Sequence, residues 1–557
     1  MKRRNCVLGV LLSAAMAVSM LSGCGAASGT ASGTSSAAAG TASGTASAAA
    51  ATEKIKFAVC GGSEESMVLD TSLVGTLEGL SACRHLYEGL FKIDSDGQVT
   101  NGQCKDYKMS DDGLTYTFTL RDDIKWSDGK DVTAGDFVNG WLRVIKSGED
   151  YAGILDMVKG AEDIRKNSAD DSTLGAVATD DKTLTVTLTQ PCSYFKSVLA
   201  FPSTDPVRKD IADAQGSAYA TDPDKAVYNG AYELTSWSHQ DNMVMTARKD
   251  YYDYDNISAA EITWKLLSDE ATALSSFQSG DIIYSDSYPN EEITSLKDNG
   301  LQEVSGFNTI CTMFNCGEKG PAVLKDARVR KALSLVIDRD RIVKNRAADD
   351  DIATSYCPMG ITDADGKDFH DTVTPWFDQS KYEDNCKEAQ QLLSDAGYPG
   401  GANFPALEYL VNNASRQTIA EEIIDDWKQQ LGITSITVNL NSDSFWDARE
   451  SGDYDIAYYG WYMDYIDVSN MLGTMKTGGS DADYSSSDFD AAFSSAMSAT
   501  DTASQWADYD KCEQILANDY PVAPLYYGKN TYLFDDKKYT GLVYSCGNFY
   551  FGYVKNA

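Results

Sequence analysis

Short runs of alternating apolar and polar residues mark strands along this chain. Ile55, Phe57 and Val59 alternate with polar or small neighbours, as do Tyr116, Phe118 and Leu120, and Leu184, Val186 and Leu188. Each period-2 run predicts a half-buried strand. Further along, the period lengthens. Val329, Ala332, Leu333, Val336 and Ile337 recur at helical spacing behind Asp326, a candidate N-cap. Ile419, Ile423, Trp427 and Leu431 form a second helical stripe, stopped by Gly432 and followed by the strand-like Ile436, Val438 and Leu440. The mixture of both periods predicts an α/β protein.

The first 52 residues follow neither pattern. Lys2, Arg3 and Arg4 precede a largely apolar run from Cys6 to Leu21. That run is short and flanked like a secretory signal, making it a poor spanning helix. Leu21-Ser22-Gly23-Cys24 resembles the bacterial lipobox, in which the cysteine is acylated and becomes residue one. Residues 1–23 are then the signal peptide and Cys24 the lipidation site. The alternatives are an ordinary cleaved signal with an incidental cysteine, or an anchor that is never cut. Residues Gly25 to Thr52 contain only Gly, Ala, Ser and Thr. No side chain there can bury enough apolar area to offset the entropy of ordering, so 24–52 reads as a lipidated cysteine and flexible tether. Its reach is roughly 30 Å, at about 5–6 Å per root residue. Stable anchoring takes more than one acyl chain, so the cysteine would be multiply acylated.

Charge and composition then narrow the body of the chain. With 47 basic and 83 acidic residues the formal charge is −36, or −39 once Lys2, Arg3 and Arg4 are removed. Such acidity disfavours nucleic acid and direct adhesion to anionic lipid, leaving the lipid anchor as the membrane contact. Twelve cysteines leave ten after Cys6 and Cys24, with no CxxC spacing to suggest a metal knuckle or thiol redox chemistry. Disulfides are permitted outside the cell, but their pairing is not readable from sequence. There are three histidines, His85, His239 and His370, and no GxSxG, HExxH, GxxxxGK[ST] or GxGxxG string. Asp464 and Asp467 could form a glycosidase pair, although so acidic a chain brings carboxylates together by chance. No enzyme, cofactor or metal is expected.

Five local strings, in order from Leu86 to Tyr465, carry a resemblance. They are Leu86-Tyr87-Glu88-Gly89-Leu90 with Phe91; Trp126-Ser127-Asp128-Gly129 with Val132-Thr133-Ala134 and Asp136-Phe137; Asn229-Gly230-Ala231-Tyr232; Asp326-Ala327-Arg328-Val329-Arg330 with Ala332-Leu333 and Ile337-Asp338-Arg339; and Gly460-Trp461 with Asp464-Tyr465. Together they resemble the extracytoplasmic solute-binding proteins of the peptide/nickel family, in the oligopeptide-binding lipoprotein branch that serves ABC importers.

The resemblance implies a class II, two-lobed periplasmic-binding-protein-like α/β fold of the large cluster, with an extra subdomain and a ligand cleft between lobes. Residues 53–306 would form lobe one, 307–527 lobe two, and 528–557 the return to lobe one. It implies a monomer that captures oligopeptides and hands them to the permease's transmembrane subunits and their ATPases, at the outer face of the cytoplasmic membrane. A receptor that ignores side-chain identity can hold its ligand as an added β-strand, because main-chain donors and acceptors are common to every sequence. The strand-like partners would be Gly75-Thr76-Leu77 in lobe one and Gly460-Trp461-Tyr462 in lobe two. Asp464 would receive the peptide's α-ammonium, since a buried ammonium needs a charged acceptor; the alternative is a surface turn residue. Trp461 and Tyr151 would wall side-chain pockets, although lone aromatics in a chain with 32 Tyr are more often core. Arg449 aligns with an arginine that catches the ligand carboxylate, and Arg416 stands where relatives have a histidine; both read equally as solvated surface residues. Tyr458 replaces a second arginine, and a cysteine pair of some relatives aligns with Asn308 and Tyr462. Two other functions remain open: a receptor of the same fold for a signalling peptide, an oligosaccharide or a chelated metal, and an exported enzyme or structural surface protein.

Overall fold

The computed structural model describes residues 53–557 apart from 63–66, 347, 364–365, 480–482 and 500. The signal peptide, Cys24 and the tether lie outside the described residues. The alternating runs form strands Ile55–Cys60, Thr115–Leu120 and Thr183–Thr187. The second helical stripe forms helix Ala414–Leu431, capped by Asn413, whose side chain accepts from Arg416 N, and ended by Gly432 in the left-handed region. Strand Ile436–Leu440 follows it. The first stripe departs from expectation. Asp326 caps helix Ala327–Leu335, but Val336 and Ile337 fall beyond it, because Asp338 caps a new helix, Arg339–Lys344.

An eleven-stranded sheet organises the molecule. Strands Ile436–Leu440, Leu407–Val411 and Ile456–Tyr462 lead to the long strand Leu301–Phe314, which pairs antiparallel with Val522–Phe534. The sheet continues through Tyr284–Ser285, Ile55–Cys60, Ala259–Lys265, Asn242–Ala247 and Tyr232–Ser238, while Asp351–Ile352 pairs beside Val522–Phe534. Strands Cys104–Met109, Thr115–Leu120, Thr183–Thr187 and Ala176–Asp180 make a separate four-stranded sheet. Two large cores flank the long pair. One holds Trp126, Trp141, Trp264 and Tyr232 together with Phe549, Phe551 and Val554; the other holds Trp427, Tyr409, Tyr509 and Tyr520. The molecule therefore has two lobes joined by two adjacent strands.

The ladder between those strands is interrupted where the lobes meet. Pairing runs from Leu301↔Leu533 to Ser305↔Lys529, stops, and resumes at Thr309↔Tyr527. Phe307 sits in the gap at φ 47°, a left-handed conformation rare for a bulky residue. The Asn308 side chain replaces the missing rungs, accepting from Gly528 N at 3.2 Å and donating to Gly528 O at 3.4 Å.

The most recognisable sequence strings are architectural. Trp126 Nε1 donates to Asp136 Oδ2 (3.2 Å), while Thr133 and Asp136 form a capping box that starts helix Ala134–Ile145. Asn229 donates to Glu88 O at 2.7 Å, and Gly230 N donates to Leu86 O at 2.9 Å. A Cβ on Gly230 would meet Leu86 C and Tyr87 N at 2.7 Å, so only glycine fits this clasp. Nine of the ten described cysteines are buried.

Candidate functional site

Strand Ile456–Tyr462 pairs along one edge with Leu301–Phe314, in the register Trp461↔Thr309 and Tyr459↔Cys311. Met463 N donates to Phe307 O at 3.0 Å, which fixes the odd-numbered residues as the bonded pairs. In an antiparallel ladder the intervening backbone groups then face the other edge. There the parallel neighbour Leu407–Val411 reaches only Ile456 and Ala457. Among the described residues, the Gly460 and Tyr462 main chain therefore presents donors and acceptors to no strand. Gly460 lies close against its partner: a Cβ there would meet Ile310 Cδ1 at 2.6 Å. Asn308 and Tyr462 face each other directly across the ladder.

Asp464 follows this free edge. The Tyr151 hydroxyl, supplied by the first lobe, and Asn470 lie close enough to its carboxylate to favour the charge. Asn470 in turn accepts from Trp461 Nε1 at 2.8 Å, which fixes the indole beside the acid. Burial pushes the Asp464 carboxyl up to about 6 against the opposing pull of these two neighbours. Trp461, Asp464, Tyr151, Asn470 and Tyr194 line one cavity of about 790 Å³ between the lobes. Around it Tyr194 stacks on Tyr465 at 4.6 Å, and Gln505 donates to Ser193 Oγ at 2.8 Å.

A second cavity, about 200 Å³, gathers Arg416, Arg346, Tyr458, Tyr462, Tyr526 and Asn308. Arg416 lies 4.6 Å over the Tyr458 ring and donates to Asn412 Oδ1 at 2.7 Å. Arg346 lies 4.1 Å over Tyr526 and pairs with Asp350. Nothing in the sequence singled out Arg346, which follows a short helix in a run of charged residues. Arg449 does not join the others. It is 5% exposed, packed 4.9 Å from the Trp446 ring centre and 5.1 Å from that of Tyr459, and lines neither cavity.

Gly75-Thr76-Leu77 differs from the expected strand. Thr76 is extended, but its hydroxyl accepts from Gly79 N at 3.2 Å and caps helix Leu77–Leu86, so Leu77 is already helical. Capping satisfies an amide that a helix start leaves open, and it ends the extended stretch. Leu77 lines a third cavity, about 760 Å³, whose wall includes Lys529 and Asn530; those two residues also line the arginine cavity. The third cavity and the arginine cavity thus share a wall, and the acid's cavity begins one residue away, with Trp461 lining it and Tyr462 lining the arginine cavity.

A family model for bacterial extracellular solute-binding proteins, family 5 Middle, matches residues 98–483. The chain belongs to this family. Among curated members it is 33% identical to the periplasmic oligopeptide-binding protein OppA of Escherichia coli, over 85% of this chain and 88% of that one. It is 28% identical to the oligopeptide-binding protein OppA of Bacillus subtilis, over 84% and 87%. Solved structures agree with the two-lobed fold. The unliganded open form of the murein tripeptide-binding protein MppA superposes with a TM-score of 0.74 at 27% identity, covering 87% of this chain and 94% of that one. Haemophilus influenzae OppA in complex with the peptide RPPGFSPFR gives 0.72 at 25% identity, covering 91% and 99%. These relatives are named for binding, not for catalysis. Among the described residues no helix is long and apolar enough to cross a membrane.

Proposed function

We propose that the protein is the oligopeptide receptor of an ABC importer, acting as a monomer that passes its ligand to the membrane permease. One observation carries the reading: a strand edge at Gly460–Tyr462 that no described strand pairs with leads directly to Asp464, a carboxylate flanked by groups from both lobes. An extended peptide completes the edge and sets its α-ammonium on the acid. Arg416 and Arg346 receive the terminal carboxylate of peptides short enough to end beside them. The lobes close about the interrupted pairing at 305–309 and 527–529.

Breaking a desolvated ion pair by removing one partner costs about 3–5 kcal/mol, against roughly 0–1 for a surface pair. N-acetylation of a peptide ligand therefore weakens binding by at least about a hundredfold, each 1.4 kcal/mol being about tenfold. Asp464→Asn produces a similar loss for free peptides and little further loss for acetylated ones, since both remove the same interaction. Titration calorimetry reads both; equal affinities for free and acetylated peptides would falsify the ammonium site.

The finer location is part of the proposal: a lipid on Cys24 tethers the receptor outside the cytoplasmic membrane. Wild-type protein should partition into the detergent phase, and Cys24→Ala should stay in the precursor form or reach the medium. Wild type remaining in the aqueous phase sinks the anchor.

A further inference from the structure

The 760 Å³ cavity has a chemical character that peptide capture alone does not require. Rings of Trp264, Tyr284, Phe549 and Phe551 line it, and among the described residues three carboxylates open into it: Glu78, Glu270 and Asp286. Among the described residues the one basic lining residue is engaged elsewhere, because Lys529 Nζ lies 3.1 Å from Asp351 Oδ2 and donates to Asp349 O. Asp286 is open to the cavity yet crowded by protein. Burial first, and then the neighbouring Glu78 charge, push its carboxyl up to about 7, opposed by N–H groups of Gly62 and of Asp286 itself. Tyr284 is 1% exposed, and its hydroxyl lies close enough to Asp286 to favour the charge. That hydroxyl nevertheless has no partner in hydrogen-bonding geometry among the described residues. The site thus combines mutually repelling acids, a buried hydroxyl without a partner, and aromatic walls.

We propose that this cavity is a side-chain subsite that selects a lysine or arginine of the bound peptide, its cation held by Asp286 and Glu78. The alkyl stem lies on the rings, as long basic side chains do on apolar surfaces, and the cation relieves the repulsion between the acids. A neutral side chain leaves the acids facing each other, and an acidic one adds a third charge of the same sign. The inference rests on the peptide reading, since Leu77 places the cavity beside the Gly75–Leu77 segment and Lys529 and Asn530 join it to the arginine cavity.

The test is a set of alanine tetrapeptides in which each position in turn carries lysine, norleucine, glutamine or glutamate. Binding is measured calorimetrically to wild type, Asp286→Asn and Glu78→Gln at low and high salt. At one position lysine should bind at least tenfold tighter than norleucine, and glutamate weakest of the four. Asp286→Asn should bring lysine down to the norleucine level, and Glu78→Gln should reduce the preference. A chain with a formal charge of −36 attracts any cationic peptide at long range. That attraction is independent of position and fades as salt screens it. A lysine preference equal at all positions and lost at high salt, or one that survives both substitutions, overturns the subsite. So does binding of the peptides with no charge preference, which leaves the peptide reading intact. Failure of every peptide to bind overturns both.

Discussion

Asp464 is the residue whose titration separates stability from binding. Its carboxyl sits at about 6 in the ligand-free protein, above the ordinary 3.8, because burial disfavours the charge. The sign follows from linkage: the penalty on the folded state is complete above pH 6 and is relieved as pH falls from 6 toward 4. A shift of two units corresponds to at most about 3 kcal/mol, and residual contact with water reduces it to roughly 1–2. Asp464→Asn should therefore raise the melting temperature of ligand-free protein at pH 7.5 and leave it nearly unchanged at pH 4. Wild-type affinity for free peptides moves the other way, steady between about pH 6 and the titration of the peptide's own α-ammonium near about 8, and falling by up to about tenfold per unit below about pH 6. A variant that melts lower at pH 7.5 contradicts the desolvated carboxylate. Sequence could point to Asp464 and Trp461 because both lie within one local string, a strand end and the turn after it. It could not place Arg449, whose direction is set by the rings of Phe445, Trp446 and Tyr459. Arg346 and Asp286 were invisible for a related reason: each is brought to its cavity by a different part of the fold, and neither belongs to a local pattern.

Elements were more legible than sites, since a strand or helix declares itself by its own periodicity. Every alternating run became a strand, and both stripes became helices starting at their capping residues. The failures were failures of termination. Val336 and Ile337 kept the helical rhythm past the point where Asp338 begins another helix, and Thr76 turned an extended segment into a helix start. Packing between elements explains the strings that periodicity could not. The clasp of Gly230 on the backbone at Leu86 and Tyr87 has no room for a methyl group and no flexible side chain to yield. Gly230→Ala should cost about 1–3 kcal/mol, the range of overpacked sites that force backbone to move. A denaturant titration measures it; a loss below about 0.5 kcal/mol would show that the clasp is loose.

At the scale of the molecule, two cores share one sheet through a pair of strands whose ladder is broken between the lobes. Closure on a ligand follows if the bound state gains contacts with both lobes. Small-angle scattering should then show a smaller radius of gyration at saturating peptide, and an unchanged radius removes the interlobe cleft as the binding site. The same architecture bears on the order in which the chain can fold. Phe549, Phe551 and Val554 belong to the first core, yet a ribosome makes them only after the whole of the second lobe. The core of the first lobe, begun at Ile55, is therefore completed only after those residues have been made. A nascent chain in that condition has no finished N-terminal domain to jam a translocation channel, and it stays threadable until nearly all of it has been made.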